Sequence, residues 1–417
     1  MITEEQIDLL VERLISRIEK ANTYFLKNIG ASIKAIRDLT PSQAQQLVQI
    51  LKYGGGYEQI VEEISKMTDM NIKDIESIFS AYAKKDQLFY KEFYAYRNKP
   101  FIPFEENAVL QSQKKIFTNM IRNEMYNYTR NNVLGYTIRD ILPNGKKGRV
   151  VFRGLKETYN RVLDEALLNV GQGKETFDSA MSSIMKEIGG SGLKTVEYES
   201  GRSVRLDSVV RMHLKGRLAE YHNEAQQIFG EQFEADGVEI TVHANPAPDH
   251  EYAQGRRFSN EEYQKLQLYG IAKDYKDKTV DLHSVLKSGE ITTSFRPISE
   301  MNCYHYVYSV ILEVGKPRYT DEELQKIIDD NNKGFDFEGE HYTMYEGTQL
   351  QRQLERKIRE QKDIQVLGKS SNNEGLITSS QRNINMLTQK YKELSDASGL
   401  PTKLERLNVN GYRKVKM

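Results

Sequence analysis

The sequence predicts an α+β protein, a mostly helical chain with a small mixed α/β core domain at about 190–316. Three observations lead to this prediction. Apolar residues recur at helical spacing through most of the 417 residues. Between Val196 and Val310 the pattern changes to short alternating runs that are typical of strands. The two-proline segment Lys99–Phe104 and the run Gly189–Gly192 interrupt the helical pattern on the N-terminal side of this region.

These interruptions divide the sequence into four parts. Residues 1–99 are predicted to form an N-terminal helical domain, and residues 100–189 a helical middle region. Residues 190–316 form the predicted α+β core domain, which contains a cluster of histidine and cysteine. Residues 317–417 form a C-terminal helical region that begins at a proline.

Start and stop signals support the flanking helices. Thr3 and Thr40 are each followed three residues later by glutamine, the spacing of a capping box, and Thr320 is followed in the same way by glutamate. Pro41 suits the first position of a helix. Gly54–Gly56 is expected to end the second helix.

The remaining elements are predicted from periodicity. Helices are expected at about 105–141, 155–171, 174–188, 206–229 and 344–361, with a turn at Pro143–Gly148, a β-like run at Arg149–Phe152 and a loop at 368–375. The predicted core has a hairpin at Val196–Leu206, strands at Gly237–His243 and Cys303–Val310, and a helix that starts with a capping box at Ser259. Asp207 is expected to cap a helix, and Glu355 to pair with Arg359.

The composition excludes several classes of protein. The 59 basic and 59 acidic residues give a net charge of zero, which argues against attraction of the whole chain to nucleic acid or to an anionic membrane. One cysteine cannot form an internal disulfide. The first residues lack the features of a signal peptide, and no run approaches the ~18 apolar residues of a membrane span, so no membrane contact is expected.

The stretch from Thr241 to Val310 is the main candidate for a functional site, because it contains the only cysteine and four of the seven histidines. Histidine and cysteine are the usual ligands of zinc. The sequence therefore predicts a structural zinc site at His243, His250, Cys303 and His305, with His283 as a substitute ligand. In the alternative interpretation Cys303 is a small buried hydrophobe and hydrogen bonds satisfy the histidines.

Two catalytic interpretations are weaker. A Cys303–His305 nucleophilic pair is disfavoured, because residues two apart on a strand lie ~6–7 Å apart along the backbone. A metal-dependent hydrolase would use His243, Asp249, His250 and His305 around a metal and a bound water in an open pocket.

Two basic segments leave a contact to DNA open. Arg205–Arg217 and Arg352–Lys362 each carry several arginines and lysines on a predicted helix. Each is interpreted either as a solvated helix face or as a surface that contacts phosphate.

Four blocks of sequence resemble a known family, the phage minor capsid protein 2 family of minor head proteins from tailed phages and prophages. A more distant similarity is to the Mu-type head morphogenesis proteins. The blocks are Val204–Met212, His243–His250 with Gln254-Gly255, Arg296-Pro297 leading to Met301–Tyr306, and Tyr342–Arg359.

The resemblance implies a structural minor capsid protein of the virion, present in the host cytoplasm during assembly. It also implies the portal and major capsid proteins as partners, with packaged DNA as a further contact. It implies no catalytic activity, so the chain is expected not to be an enzyme.

Overall fold

The computed structural model describes residues 4–69, 72–130, 132–141, 147–196, 201–283, 294–300, 303 and 305–415. These residues contain the α-helices α1 (Glu4–Arg37), α2 (Pro41–Tyr53), α3 (Gly56–Thr68), α4 (Ile72–Tyr96), α5 (Ala108–Tyr128), α6 (Leu155–Asn169), α7 (Lys174–Ser191), α8 (Leu206–Gln232), α9 (Asn260–Tyr269), α10 (Asp321–Lys333), α11 (Met344–Ser371) and α12 (Glu374–Ser398). The strands are β1 (Leu134–Ile141), β2 (Lys147–Gly154), β3 (Lys194–Val196), β4 (Ser203–Arg205), β5 (Gly237–Ile240), β6 (Arg257–Ser259), β7 (Ile271–Lys273), β8 (Thr279–Asp281), β9 (Val307–Val310), β10 (Phe335–Phe337) and β11 (Glu340–Tyr342).

The predicted fold class, a mostly helical α+β chain, is confirmed. The described strands pair antiparallel in four small sheets with the orders β2-β1-β3-β4, β6-β5-β9, β7-β8 and β10-β11. The sheets β6-β5-β9 and β7-β8 lie within the predicted core at 190–316. Sheet structure also occurs on both sides of that core, in β1–β2 and in the hairpin β10–β11.

The chain forms two compact units, and each unit is assembled from stretches that are separated in sequence. The first unit contains Met1–Val11, Asn71–Asn123 and Met212–Gln349. The second unit contains Glu12–Met70, Glu124–Arg211 and Leu350–Met417. The four-part division of the sequence stays a prediction.

The predicted helix at 105–141 is wrong in its last third. Helix α5 ends at Tyr128, and strand β1 follows and pairs with β2. A Cβ atom at Gly135 would lie 2.0 Å from the carbonyl oxygen of Arg153, so the two strands approach closely where the chain has a glycine. The aromatic and β-branched run Tyr136–Ile138 favours a strand over a helix at this point.

Two other predicted boundaries are also wrong. Strand β9 begins at Val307 rather than at Cys303, because the Cys303 N–H donates to the carbonyl of Glu300 at 2.8 Å in a turn. Helix α11 continues through the first half of the predicted loop at 368–375 and ends at Ser371, and buried residues such as Leu367 lie on its last two turns.

The predicted helix caps are largely confirmed. Thr40 and Thr320 form complete capping boxes, and Gly54 with Gly55 separates α2 from α3. The Ser259 side chain accepts from the N–H of Glu262 at 3.2 Å. The carboxylate of Glu262 instead accepts from the N–H of Lys273 at 2.7 Å, so half of the box predicted there is present.

A buried network of ionic groups lies inside the second unit. Arg359 donates to Asp207 at 2.5 Å, and Arg205 donates to Asp207 at 3.2 Å and to Asp363 at 3.4 Å. Asp207 lies in the first turn of α8 and binds these guanidinium groups, so its predicted role as a cap is wrong. Arg359 forms this pair and lies 3.9 Å from Glu19, whereas its predicted partner Glu355 accepts from Tyr391.

The network separates the pKa values of its acids. Burial, together with the nearby carboxylate of Asp207, raises the pKa of Glu19 to about 7 against the opposing effect of Arg359. Burial also raises the pKa of Asp363 to about 6. Burial opposes the ionisation of Asp207, but the guanidinium groups of Arg205 and Arg359 outweigh it and hold the pKa of Asp207 well below its usual range.

Aromatic side chains fill the core of the first unit between α4 and α8. The ring centroid of Tyr90 lies 5.3 Å from that of Phe229 and 5.2 Å from that of Phe233. Next to them the buried His222 lies between Asp86 Oδ2, at 2.7 Å, and the carbonyl of Val307, at 3.1 Å. This contact fixes the start of β9, two residues after His305.

Some predicted features lie outside the described residues. These are the cap at Thr3, most of the turn predicted at Pro143–Gly148, the first part of the turn predicted in the hairpin at Val196–Leu206, and Met301, Asn302 and Tyr304 of one sequence block. The hairpin itself is confirmed, because β3 pairs with β4 from Lys194↔Arg205 to Val196↔Ser203. In the part of the chain that is described, no helix has both the length and the apolar character needed to cross a membrane.

Candidate metal centre

Strand β5 carries the chain to the first half of the centre. Its last residue, Ile240, accepts a backbone hydrogen bond from the N–H of Gly255 at 2.9 Å, so the chain after β5 folds back onto the strand. The side-chain oxygen of Gln254 accepts from the N–H of His243 at 2.9 Å, so a second hydrogen bond links the two ends of this turn. His250 lies in the turn between these two contacts.

Gly255 is required at the end of this fold-back. Its φ of +69° is in the left-handed region, which favours glycine. A Cβ atom at this position would lie 2.4 Å from Leu324 Cδ2 and 2.9 Å from Val242 Cγ2. Gln254 therefore supplies the side chain that binds the His243 N–H, and Gly255 allows Leu324 and Val242 to pack closely against the backbone beside it.

Strand β9 positions the second half of the centre. It pairs with β5 in the register Ile240↔Val307, and the Thr241 N–H donates to the carbonyl of Tyr306 at 2.9 Å. The Ser299 hydroxyl donates to the carbonyl of His305 at 2.6 Å. These contacts place the residues before β9 beside the fold-back that contains His250.

The two halves bring one thiol and two imidazoles together. Cys303 Sγ lies 3.3 Å from His250 Nδ1 and 3.5 Å from His305 Nδ1. One ligand atom from each of these residues lies within 4.8 Å of the other two. The ring centroids of His250 and His305 are 5.5 Å apart. We call this group of three residues the Cys–His cluster.

The outer nitrogens of both imidazoles face oxygens that only accept. His250 Nε2 donates to the carbonyl of Arg296 at 2.7 Å. His305 Nε2 lies 3.3 Å from Gln254 Oε1, the oxygen that also accepts from the His243 N–H. Each Nε2 therefore carries the proton of its neutral ring, and each Nδ1 directs a lone pair at the sulfur of Cys303.

Burial favours the uncharged form of each of the three side chains. His250, His305 and Cys303 are 0%, 3% and 8% exposed. Burial lowers the pKa of His250, and it lowers the pKa of His305 well below its usual value, with a further contribution from the neighbouring rings of His250 and His243. Burial raises the pKa of the Cys303 thiol.

An ion pair covers one side of the cluster. Arg296 donates through Nε to Asp249 Oδ2 and through Nη2 to Asp249 Oδ1, each at 3.1 Å. The backbone oxygen of the same arginine accepts from His250. Asp249 Oδ2 lies 3.7 Å from His250 Nε2, so a carboxylate stands close to the ring.

The structure places the other two candidate histidines outside the Cys–His cluster. His243 is half-buried, its Nδ1 accepts from the Asn245 N–H at 3.3 Å, and its ring centroid is 6.3 Å from that of His305. His283 binds Asp281 through Nδ1 at 2.7 Å, and its ring packs on Phe295 at 5.1 Å.

The expected separation of Cys303 from an imidazole is wrong. Cys303 and His305 were expected to lie on one strand, whereas both precede β9 and their side chains meet. A cysteine nucleophile nevertheless needs a thiolate and access to a substrate. The burial of Cys303 and the raised pKa of its thiol oppose both requirements.

The geometry also opposes a hydrolytic centre at His243, Asp249, His250 and His305. Arg296 binds both oxygens of the Asp249 carboxylate, which disfavours its use as a general base. His243 does not join the other two imidazoles within ligand distance. The three converging side chains are also buried, which disfavours the access that a substrate needs.

The two basic segments are largely occupied by internal contacts. Arg205 and Arg359 belong to the buried ionic network, and Arg211 pairs with Glu12. Lys362 donates to the carbonyl of Leu407 at 2.6 Å. These groups bind protein oxygens, which reduces the positive charge that either segment could offer to phosphate.

Sequence reasoning missed the residues that orient the cluster. Gln254 and Arg296 were parts of recognisable blocks, but no spacing indicated that an amide oxygen and a backbone carbonyl would fix the two imidazoles. Ser299 carried no signal at all. The Asp86–His222 pair, which holds β9 in place, joins residues 136 positions apart and could not be found by periodicity.

Comparison with known proteins identifies the chain at the level of a family. The phage minor capsid protein 2 family matches residues 2–396. No curated protein and no solved structure matches the chain. Because the family match spans nearly the entire sequence, the chain belongs to the phage minor capsid protein 2 family.

Proposed function

We propose that this protein takes its place in the phage head by binding the portal protein or the major capsid protein. Family membership is the observation that supports this proposal: the chain is a minor capsid protein, with a structural role in the virion. A minor component must bind something in the particle to be retained, and other head proteins are one class of partner. The proposal therefore concerns which partner it binds and through which surface.

The first unit offers an apolar surface suited to such binding. Leu268, Tyr269 and Ile271 are 60%, 67% and 46% exposed and lie at the junction of α9 and β7. Large apolar side chains that are exposed together mark surfaces that bind other proteins. We call these three residues the α9–β7 surface.

A cavity of about 630 Å³ is lined by residues of α8 and α9 and shares Leu268 with this surface. Its lining combines Leu268 and Tyr263 with side-chain amides such as Gln227 and Gln264 and with the carboxylate of Glu231. Apolar contacts surrounded by hydrogen-bonding groups are typical of specific protein–protein interfaces. A segment of a head protein inserted here would find both kinds of contact.

Co-purification tests the proposal. The untagged chain is expressed with tagged portal protein or with tagged major capsid protein, and the amount retained is measured. The double variant Leu268→Asp and Tyr269→Asp should reduce retention at least about tenfold, because it places charge in a desolvated contact. Tyr53→Asp is the matched control, since Tyr53 is 77% exposed on the second unit.

The outcomes separate clearly. Retention by the portal protein alone selects the portal as partner, and retention by the major capsid protein alone selects that protein. Equal retention of the double variant and of wild type would reject the α9–β7 surface. Retention by neither protein, together with normal heads formed without this chain, would reject the proposed function.

A further inference from the structure

We propose that the Cys–His cluster binds one Zn²⁺ ion. The ligand atoms are Nδ1 of His250, Sγ of Cys303 and Nδ1 of His305. The inference depends on the interior of the first unit and does not depend on the proposed binding to head proteins.

The distances fit the dimensions of a zinc site. With Zn–N bonds of ~2.0–2.1 Å and a Zn–S bond of ~2.3 Å, a tetrahedral site separates a nitrogen ligand from a sulfur ligand by about 3.5 Å. The two separations from Cys303 Sγ are 3.3 and 3.5 Å. Both sulfur–nitrogen pairs therefore already have about the separation that the ion requires.

The count of hydrogen-bond donors argues for a cation at the same place. Both imidazoles direct an unprotonated Nδ1 at one sulfur, and a thiol has one proton to share between them. One buried nitrogen lone pair is therefore left without a donor in the three-residue group. Buried polar groups are rarely left in this state, and a metal ion would accept electron pairs from all three atoms.

The surrounding contacts are those that orient metal-binding histidines. A ligand imidazole usually donates its other N–H to a carbonyl or carboxylate oxygen, which fixes the ring and its tautomer. The carbonyl of Arg296 does this for His250, and Gln254 Oε1 does it for His305. The backbone N–H of His243 donates to Gln254, so the turn after β5 positions the amide oxygen that binds His305.

The chemistry of the donors favours zinc over the harder cations. Two imidazoles and one sulfur form a borderline-to-soft donor set, which suits Zn²⁺ and is poorly suited to Mg²⁺ or Ca²⁺. When the ion binds, the Cys303 S–H bond breaks, its proton passes to solvent and a Zn–S bond forms, with no change of oxidation state.

Metal content and cobalt spectroscopy test the assignment on the full chain, purified without a histidine tag. Wild type should contain about one equivalent of zinc by plasma mass spectrometry. After removal of zinc with a chelator, Co²⁺ should produce visible d–d absorption together with a near-ultraviolet band from charge transfer between thiolate and cobalt. The band should disappear in Cys303→Ser.

His341→Ala is the matched control. His341 is exposed, binds Asp336 and lies outside the Cys–His cluster, so this variant should keep the zinc and the cobalt bands. Less than about a tenth of an equivalent of zinc in wild type, with no cobalt bands on titration, would overturn the proposal. A charge-transfer band that persists in Cys303→Ser would overturn it as well, and the wild-type measurement decides the question even where a variant does not fold.

Discussion

Asp207 and Arg359 lie 152 residues apart in sequence and meet in an ion pair of 2.5 Å inside the second unit. Asp207 is in the first turn of α8 and Arg359 is in the middle of α11, so this pair joins two long helices. Arg205 binds the other oxygen of the same carboxylate. One acid therefore compensates two buried cations, and its loss should affect both.

Asp207→Asn should destabilise the protein strongly. Removing one partner of a buried ion pair leaves an uncompensated charge, which costs about 3–5 kcal/mol in unfolding free energy. Urea unfolding followed by circular dichroism measures the change. Lys66→Gln is the control, because Lys66 pairs with Glu62 and Glu63 on the surface, where solvent screens the charges, so its loss should change the stability little. Equal effects of the two substitutions would contradict the buried network.

The contribution of Glu19 to the free energy of unfolding should fall as the pH rises from about 5 to 8. The folded-state pKa of Glu19 is about 7, above its ordinary value of 4.5, so between these values the folded chain holds a proton that the unfolded chain has lost. The stabilisation associated with that proton is complete below pH 4.5 and is lost as the pH passes 7. Asp363, with its pKa raised to about 6, acts in the same direction.

Glu19→Gln isolates the contribution of Glu19. The variant should gain about 2 kcal/mol in unfolding free energy relative to wild type on going from pH 5 to pH 8, because a neutral amide does not ionise. Paired urea titrations at the two pH values measure this difference. Glu62→Gln, at an exposed position, should show the same change in unfolding free energy between pH 5 and pH 8 as wild type. A difference between Glu19→Gln and wild type that does not vary with pH would contradict the raised pKa.

Gly255→Ala should destabilise the fold-back that presents His250. The new Cβ meets Leu324 and Val242 within 3 Å, and the left-handed φ adds backbone strain, for a total cost of roughly 2–4 kcal/mol. Gly339→Ala is a control for the backbone term alone, because Gly339 also has a positive φ of +84° but no atom lies within 4 Å of its Cβ position. Thermal unfolding of both variants separates the steric cost from the conformational one.

His243→Ala should leave the zinc content of the protein near the wild-type value. His243 was one of the four ligands predicted from the sequence, but it lies outside the group whose ligand atoms converge. Its backbone N–H, which binds Gln254, is retained in the variant. Metal analysis beside His305→Ala, which should lose the ion, tests the difference. Loss of zinc in both variants would restore His243 as a ligand.

The sequence predicted those features that depend on short-range chemistry. The capping boxes at Thr40 and Thr320, the glycine break after α2 and the hairpin β3–β4 each require only a few neighbouring residues. Strand β1 was missed because its place is set by pairing with β2 and by the close approach at Gly135, which is a property of two strands together.

The candidate site shows the same limit. The convergence of His250, Cys303 and His305 was predicted, although the reason given for it, a strand through Cys303, was wrong. The distinction between His243 and the other histidines depends on the turn that ends at Gly255 and on contacts with Gln254. Those contacts are made across the fold and leave no pattern in the sequence.

The segment between His250 and Cys303 begins and ends at the same place in the fold, because the two side chains are in contact although 53 positions separate the residues. Its described part carries β6, α9, β7 and β8, and the β7–β8 turn at Tyr275–Asp277 is exposed. Residues inserted in the β7–β8 turn would not change the distance between His250 and Cys303, where the segment begins and ends. A reporter peptide inserted there could mark this protein in assembled heads while the thiol and its two imidazoles stay together.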